Sequence, residues 1–359
     1  MKAGTILGHE GVGVVEKLGK NVRNFNIGDR VVIASTIACG YCVYCRAGCY
    51  SQCDNANPNG KEKGTAFFGG PKETGPFDGM QAQKVRVPFA NVGMTKLPEN
   101  VSDDQAILIS DIFPTAFFGA EIADVKKGKI VAVFGCGPVG LFAIISSQLL
   151  GAARVIAVDR VPDRLKKARE LGAETINFDE EDPVKTIKKL TGGIGADRVI
   201  DAVGVDAECR HGNFMDHMKD KLTGKEKKRE QQLKEIAPKQ NPDGDLWQPG
   251  QAPTQAIEWA VDAVCKEGTI SIIGVYSQKV ENFPLGKAMG KNLTIRMGNC
   301  PHHKYIPYLV NLVASGVVDP TKILTKQKAL SSAIEAFEAF DQRKSGWIKV
   351  ELNPQLTKK

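Results

Sequence analysis

Between Lys129 and Asp159 the chain spells a strand, a glycine turn, a helix and a second strand, and no other stretch limits the fold as strongly. Ile130-Val131-Ala132-Val133-Phe134 is a continuous apolar run of the kind that fills a buried strand. Gly135-Cys136-Gly137-Pro138-Val139-Gly140 follows at once and opens an apolar helix over Pro138 to Leu150. Arg154 to Val158 reads as the next strand, ending at Asp159, nineteen residues past Gly140. The same alternation continues with a helix over Pro162 to Leu171, a strand over Arg198 to Val203, a helix over Ala256 to Cys265, and strands over Thr269 to Gly274 and Leu293 to Met297. Strand and helix in turn at this spacing predict βαβ units and a doubly wound parallel sheet.

The glycine turn carries chemistry because of where it sits. Between a buried strand and a helix, Gly135, Gly137 and Gly140 permit a tight turn and close approach of a pyrophosphate to the unpaired N–H groups at the helix N-terminus, where Pro138 and Val139 also lie. Asp159 can accept hydrogen bonds from both hydroxyls of a ribose, and its charge repels a 2′-phosphate, so NAD is preferred to NADP. Arg160, beside it, keeps NADP as the alternative. Arg164, one helical turn on, either lines the adenine side or belongs to a solvated helix face.

From Met1 to about Ser110 the grammar differs. Short β-type runs at Gly11 to Val15, Val31 to Ile33 and Gln83 to Val87, separated by glycine turns, predict a small barrel or sandwich. Five of the nine cysteines crowd into this part, and an odd total clustered this way argues for metal in a reducing compartment rather than a disulfide framework. Cys39, Cys42, Cys45 and Cys53 have the spacing C-x2-C-x2-C-x7-C, which suits tetrahedral Zn²⁺ in a closed, structural site; Cys49 falls outside the register. After the sheet region, helices are expected near Tyr305 to Ser315 and Ser331 to Phe340, with a last strand near Trp347 to Leu352.

The net charge of +7 prompts the question of nucleic acid. Eight basic residues against four acids between Lys219 and Lys239 account for +4 of it, with no aromatic residue among them. The excess is therefore local, and no nucleic-acid partner is expected. The segment lies in an insertion, about 206–253, whose later part is rich in Pro and Gly. It follows a strand at the carboxyl edge of the sheet, so it either borders the active-site mouth or is a solvated loop. With 42% hydrophobic and 25% charged residues in 359, and no apolar run of the roughly 18 to 20 residues a membrane span requires, a soluble cytoplasmic protein without a membrane partner is expected.

Four motifs in order, Gly8-His9-Glu10-Gly11-Val12-Gly13, the cysteine loop, Ile109-Ser110-Asp111-Ile112-Phe113-Pro114-Thr115 and the dinucleotide turn, resemble the medium-chain zinc-dependent alcohol dehydrogenases. Within them the chain is most similar to the branch related to formaldehyde dehydrogenases, whose members show an Asp in the third motif and an insertion in the coenzyme domain. The resemblance implies a Rossmann domain over 113–297 and a β-rich GroES-like catalytic domain over 1–112 and 298–359. It implies a catalytic zinc held by His9 and Asp111, with Glu10 as the neighbouring acid that approaches the metal. Thr115 and Val203 would lie beside the nicotinamide and Lys349 against the pyrophosphate, or Lys349 is a surface residue. Family members also carry a Cys-Gly-x-Asp motif upstream of the first motif. Here Met1 stands eight residues before His9, so the β-rich domain is expected to be incomplete at its N-terminus and the chain truncated relative to the family.

Those residues imply hydride transfer between a primary alcohol or aldehyde, formaldehyde or its adduct among them, and NAD, by a homo-oligomer, a dimer or tetramer. The alternative is a catalytically impaired NAD-binding protein that retains the structural zinc. Phe67, Phe68, Phe113 and Phe117 are candidates for pocket walls or for core, and His302 and His303 read as surface histidines.

Overall fold

The computed structural model describes residues 3–210, 224–236, 250–278, 280 and 283–356. The chain forms two units: Met1–Phe118 with Asn299–Lys359, and Gly119–Gly298. Helix Ile112–Ile122 runs through the first boundary.

In the first unit, β1 (Gly11–Val14), β2 (Arg30–Ile33) and β3 (Met94–Lys96) form an antiparallel sheet in that order. Gly11 pairs with Ile33 and Val31 with Lys96, so β2 is central, and Val31, Val32 and Ile33 are buried. Gln83 to Val87, expected as a strand, is irregular. Val85 and Val87 lean on the core around Phe25, Ile37 and Phe68 from a loop, and this side-chain packing produces the alternation that mimics a strand. Two devices aim the chain at the site. Ser102 and Gln105 make a capping box that starts helix Asp103–Ile109, and the following helix Ile112–Ile122 is bent from it by 44°, with Asp111 at the break.

The second unit holds a six-stranded sheet in the order β6-β5-β4-β7-β8-β9, with every pairing parallel. The strands are β4 (Ile130–Phe134), β5 (Arg154–Asp159), β6 (Glu174–Asn177), β7 (Ala196–Asp201), β8 (Val264–Ile272) and β9 (Thr294–Met297). The chain winds outward from β4 to β6 and then returns to lay β7 on the other side of β4, so the order reverses between β4 and β7, where doubly wound sheets bind ligands. β4 is buried on both faces: Val131, Ala132 and Val133 are fully covered, and burial of each valine contributes about 1.5–3 kcal/mol. Helix Pro138–Leu149 follows β4, with Gly137 as its N-cap and Pro138 in its first turn. β10 (Lys326–Ala329) and β11 (Val350–Asn353) form a parallel pair in the first unit. Among the described residues no single helix is long and apolar enough to cross a membrane.

Part of the insertion is helical, over Lys225–Ile236; Lys219 and Lys239, the ends of its basic run, lie outside the described residues.

Candidate functional site

The dinucleotide turn has the conformation its glycines require. Gly135 has φ +89°, and a Cβ on Gly140 would lie 1.8 Å from the Gly135 carbonyl oxygen, so neither position accepts a side chain. Asp159 is buried at the end of β5, and its carboxylate accepts N–H groups from Cys136 (2.7 Å), Arg160 (2.7 Å) and Val161 (2.9 Å). It thus ties the turn to β5, a structural duty the sequence did not suggest. The Arg160 guanidinium pairs with Glu208 and lies 3.9 Å from Asp179, so two acids offset its charge. Arg164 reaches over the turn, with Nη1 at 3.9 Å from where a Cβ on Gly137 would stand. Val139, Val203 and the residues after β8 line a cavity of about 410 Å³ at the carboxyl edge of the sheet. Ile236, the last residue of the insertion helix, lines the same cavity, so this part of the insertion lies at the carboxyl edge of the sheet.

The four cysteines converge from one loop. Cys39, Cys42, Cys45 and Cys53 place their sulfurs within 4.8 Å of one another. Cys39 and Cys45 Sγ are 3.9 Å apart, as are Cys42 and Cys53 Sγ, close to the edge of about 3.8 Å expected of a tetrahedron with Zn–S near 2.3 Å. Backbone N–H groups point at the sulfurs, Cys39 N at Cys53 (3.2 Å) and Cys42 N at Cys39 (3.4 Å). Burial pushes the Cys42 thiol up, but N–H donors from Cys45 and Asp54 outweigh it and bring it down to about 6. Donors aimed at sulfur suit thiolates, and the donor set fits a closed Zn²⁺ site.

The third cluster is built across the first unit. His9, two residues before β1, meets Asp111 at the helix break with Nε2 to Oδ2 at 2.8 Å. Thr115, one turn into the second helix, donates its hydroxyl to Asp111 Oδ1 (2.9 Å). His302, first residue of helix His302–Ala314, donates Nε2–H to the same oxygen at 2.6 Å, while Thr36 Oγ1 lies 3.1 Å from its Nδ1. Ser35 adds a longer hydroxyl contact to Asp111 (3.4 Å) and one to His302. Burial pushes the Asp111 carboxyl up, but the His302 and His9 hydrogen bonds and charges hold it well below the usual carboxylate range. For His9, burial works against the charged form, and the hydrogen bond and charge of Asp111 prevail and raise it.

Several expectations change here. Glu10 and Lys349 pair with each other, both largely buried, and both charges act on the nearby His9. Opposite charges on two chain segments drawn into one low-dielectric place account for that pairing. His9 and Asp111 are suitable zinc donors, and their hydrogen bond is the contact an ion would replace. With Glu10 paired to Lys349 they are two donors where a catalytic zinc keeps three protein ligands. Among the described residues only the cysteine loop brings three or more ligand atoms together. Phe68 and Phe113 are fully buried core, whereas Phe67 sets its edge against the His9 ring at 6.0 Å. His302 and His303 are not surface residues: His302 is 4% exposed, and His303 packs on Tyr50 at 5.1 Å. Nothing local in the sequence marks His302, because its partner Asp111 is 191 residues away.

Residues 1–99 match the family described as alcohol dehydrogenase GroES-like domain, and residues 138–211 the zinc-binding dehydrogenase family. An uncharacterized zinc-type alcohol dehydrogenase-like protein, AdhB of Bacillus subtilis (strain 168), is 40% identical over 358 residues, covering 99% of this chain and 86% of that protein. The chain belongs to the zinc-type alcohol dehydrogenases. The solved alcohol dehydrogenase TADH of Thermus sp. ATN1 has a TM-score of 0.75 and 34% identity, covering 97% of this chain and 83% of its own. The glutathione-independent formaldehyde dehydrogenase of B. subtilis (strain 168) is a partial relative, 40% identical over 215 residues, 58% of this chain and 52% of that protein. The expectation of a truncated start gains no support from these alignments, which for AdhB run over 99% of the chain. As a zinc-type alcohol dehydrogenase the chain is an oxidoreductase with the Rossmann and GroES-like units described above, and its family acts on small molecules.

Proposed function

We propose that this dehydrogenase moves a hydride between the carbon of a primary alcohol and NAD⁺, giving the aldehyde, and runs in reverse on aldehydes. The observation that carries the reading is the Asp111 cluster: one carboxylate accepts from His9, His302 and Thr115 at 2.8, 2.6 and 2.9 Å, a preorganised polar centre in the unit that the family uses for substrate. Oxidation releases a proton from the alcohol oxygen as the hydride leaves carbon. His9, its Nε2–H given to Asp111, takes that proton at Nδ1, and Asp111 stabilises the imidazolium that results. His302, Thr115 and Ser35 keep the carboxylate aimed. A zinc ion held by His9 and Asp111 would take the place of their hydrogen bond and supply Lewis acidity toward the alcohol oxygen instead. The cysteine zinc is structural.

NAD rather than NADP is supported by the Asp159 charge and by the two acids that offset Arg160. Free formaldehyde is placed among the candidate substrates because a partial relative is named a glutathione-independent formaldehyde dehydrogenase. The working form is a cytoplasmic homo-oligomer, a dimer or tetramer, which light scattering of the purified protein measures. The function is tested by NADH absorbance with a panel of primary alcohols and aldehydes, each with NAD and NADP, alongside zinc analysis. The expected result is NAD-linked turnover. Cofactor binding with no turnover on any of them would replace this reading with that of a silent NAD-binding protein, which the shortage of metal donors favours.

A further inference from the structure

Asp201 ends β7 and is completely buried, yet no part of the chemistry above uses it. Its carboxylate holds two loops. Oδ1 accepts the N–H groups of Val203 (2.9 Å) and Gly204 (3.2 Å), which leave β7, and Oδ2 accepts the Tyr276 hydroxyl at 2.6 Å, which follows β8. Its backbone carbonyl accepts two more N–H groups from the β8 side, Ile273 (3.0 Å) and Gly274 (2.9 Å). The loops it joins are packed without slack. A Cβ on Gly204 would lie 2.3 Å from the Val275 carbonyl oxygen, and one on Gly274 would lie 2.3 Å from the Gly204 nitrogen. Val203, Val205, Ile273, Val275 and Tyr276 from these loops, with Val139 opposite, line the cavity beside the dinucleotide turn.

A buried carboxylate costs free energy unless its hydrogen bonds are filled, and burial pushes Asp201 up from the usual carboxylate range and Tyr276 up with it. A fold that needed only an apolar sheet end would place valine or leucine here. The carboxylate instead fixes the distance between two loops whose side chains form one wall of a ligand cavity.

We propose that Asp201 and Tyr276 are a positioning pair that sets the width of the cofactor cavity, with the Tyr276 hydroxyl given to Asp201. The proposal rests on the reading of that cavity as the dinucleotide site. Loosening the pair lets the Val203 and Val275 loops part, so binding weakens while the Asp111 cluster, in the other unit, is unaffected.

The test titrates NADH into the full-length protein by fluorescence, comparing wild type with Tyr276→Phe and Asp201→Asn, and measures KM for NAD and for alcohol. Tyr276→Phe removes one hydroxyl and is expected to weaken NADH roughly fivefold. KM for NAD rises with it, KM for alcohol stays constant, and zinc content and melting temperature stay near wild type. Asp201→Asn keeps an acceptor and an overall shape, so its loss is larger in affinity than in fold, and melting curves separate the two. Tyr308→Phe, at an exposed tyrosine, is the control and leaves affinity unchanged. If wild type binds NADH and Tyr276→Phe binds it equally well, the positioning pair is overturned alone. If wild type binds no dinucleotide, the reading of the cavity falls and this proposal with it.

Discussion

The dinucleotide turn and the Asp111 cluster differ in how far apart in the chain their parts lie. In the second unit Gly135, Gly137 and Gly140 belong to one turn, and Asp159 reaches back to the Cys136 N–H over 23 residues. In the first unit Asp111 meets His9 over 102 residues and His302 over 191. A local turn is dictated by backbone sterics that any reader of the sequence can apply. A cluster built across long separations depends on the whole unit having folded, so it is both harder to foresee and easier to disturb at a distance. The comparison predicts that damage to the turn is severe and confined to cofactor binding, whereas damage around Asp111 is graded by how many donors remain.

The largest effect is expected at the turn. Gly140→Ala drives a methyl group into the Gly135 carbonyl, and NADH affinity should fall by roughly a hundredfold or more, read by fluorescence titration, with a lower melting temperature. Retained affinity would break the claim that backbone approach governs this site. Next is Cys45→Ser, at a residue 1% exposed in the core of the first unit. One zinc per chain should be lost by mass spectrometry and the melting temperature lowered by roughly 5–10 °C, without a change in NADH affinity. Unchanged zinc content would remove the cysteine loop as a metal site.

The cluster should respond by degrees. His302→Leu leaves Asp111 with His9, Thr115 and Ser35 and should lower kcat/KM for alcohol roughly 10- to 100-fold, with His302→Gln restoring part through its amide donor. Equal activity in all three would show that Asp111 needs no help from the returning chain. The smallest effect concerns His303, whose ring nitrogens have no hydrogen-bond partner among the described residues. Burial lowers its pKa to about 3, from 6.5. The unfolded chain therefore takes up a proton below 6.5 that the folded chain refuses until about 3, so stability is complete above the upper value and falls as pH drops through that window. From pH 7 to pH 5 the contribution lost is on the order of 2 kcal/mol. His303→Phe, which keeps a ring against Tyr50, should flatten that part of the acid-side decline in chemical denaturation; an unaltered slope would place the sensitivity elsewhere.

Legibility followed the same divide. The apolar run of β4, the glycine turn and the C-x2-C-x2-C-x7-C loop express steric and coordination rules over a few residues, and each took the form expected. Gln83 to Val87 alternates like a strand yet packs Val85 and Val87 from a loop, since alternation reports which side chains are covered and not whether a partner strand exists. Glu10 and Lys349 carried roles by resemblance, and their pairing depends on a chain return over 339 residues that no spacing announces. His302, at a helix start after Pro301, looked like an ordinary surface position for the same reason.

The central claim is that chemistry resides in the Asp111 cluster and cofactor binding in the other unit, separately. Asp111→Ala, measured for NAD-linked alcohol oxidation and for NADH affinity in one preparation, tests it most directly. The prediction is turnover lowered roughly a thousandfold with NADH affinity within about twofold of wild type. Turnover near wild type, or cofactor affinity lost in step with activity, would contradict it.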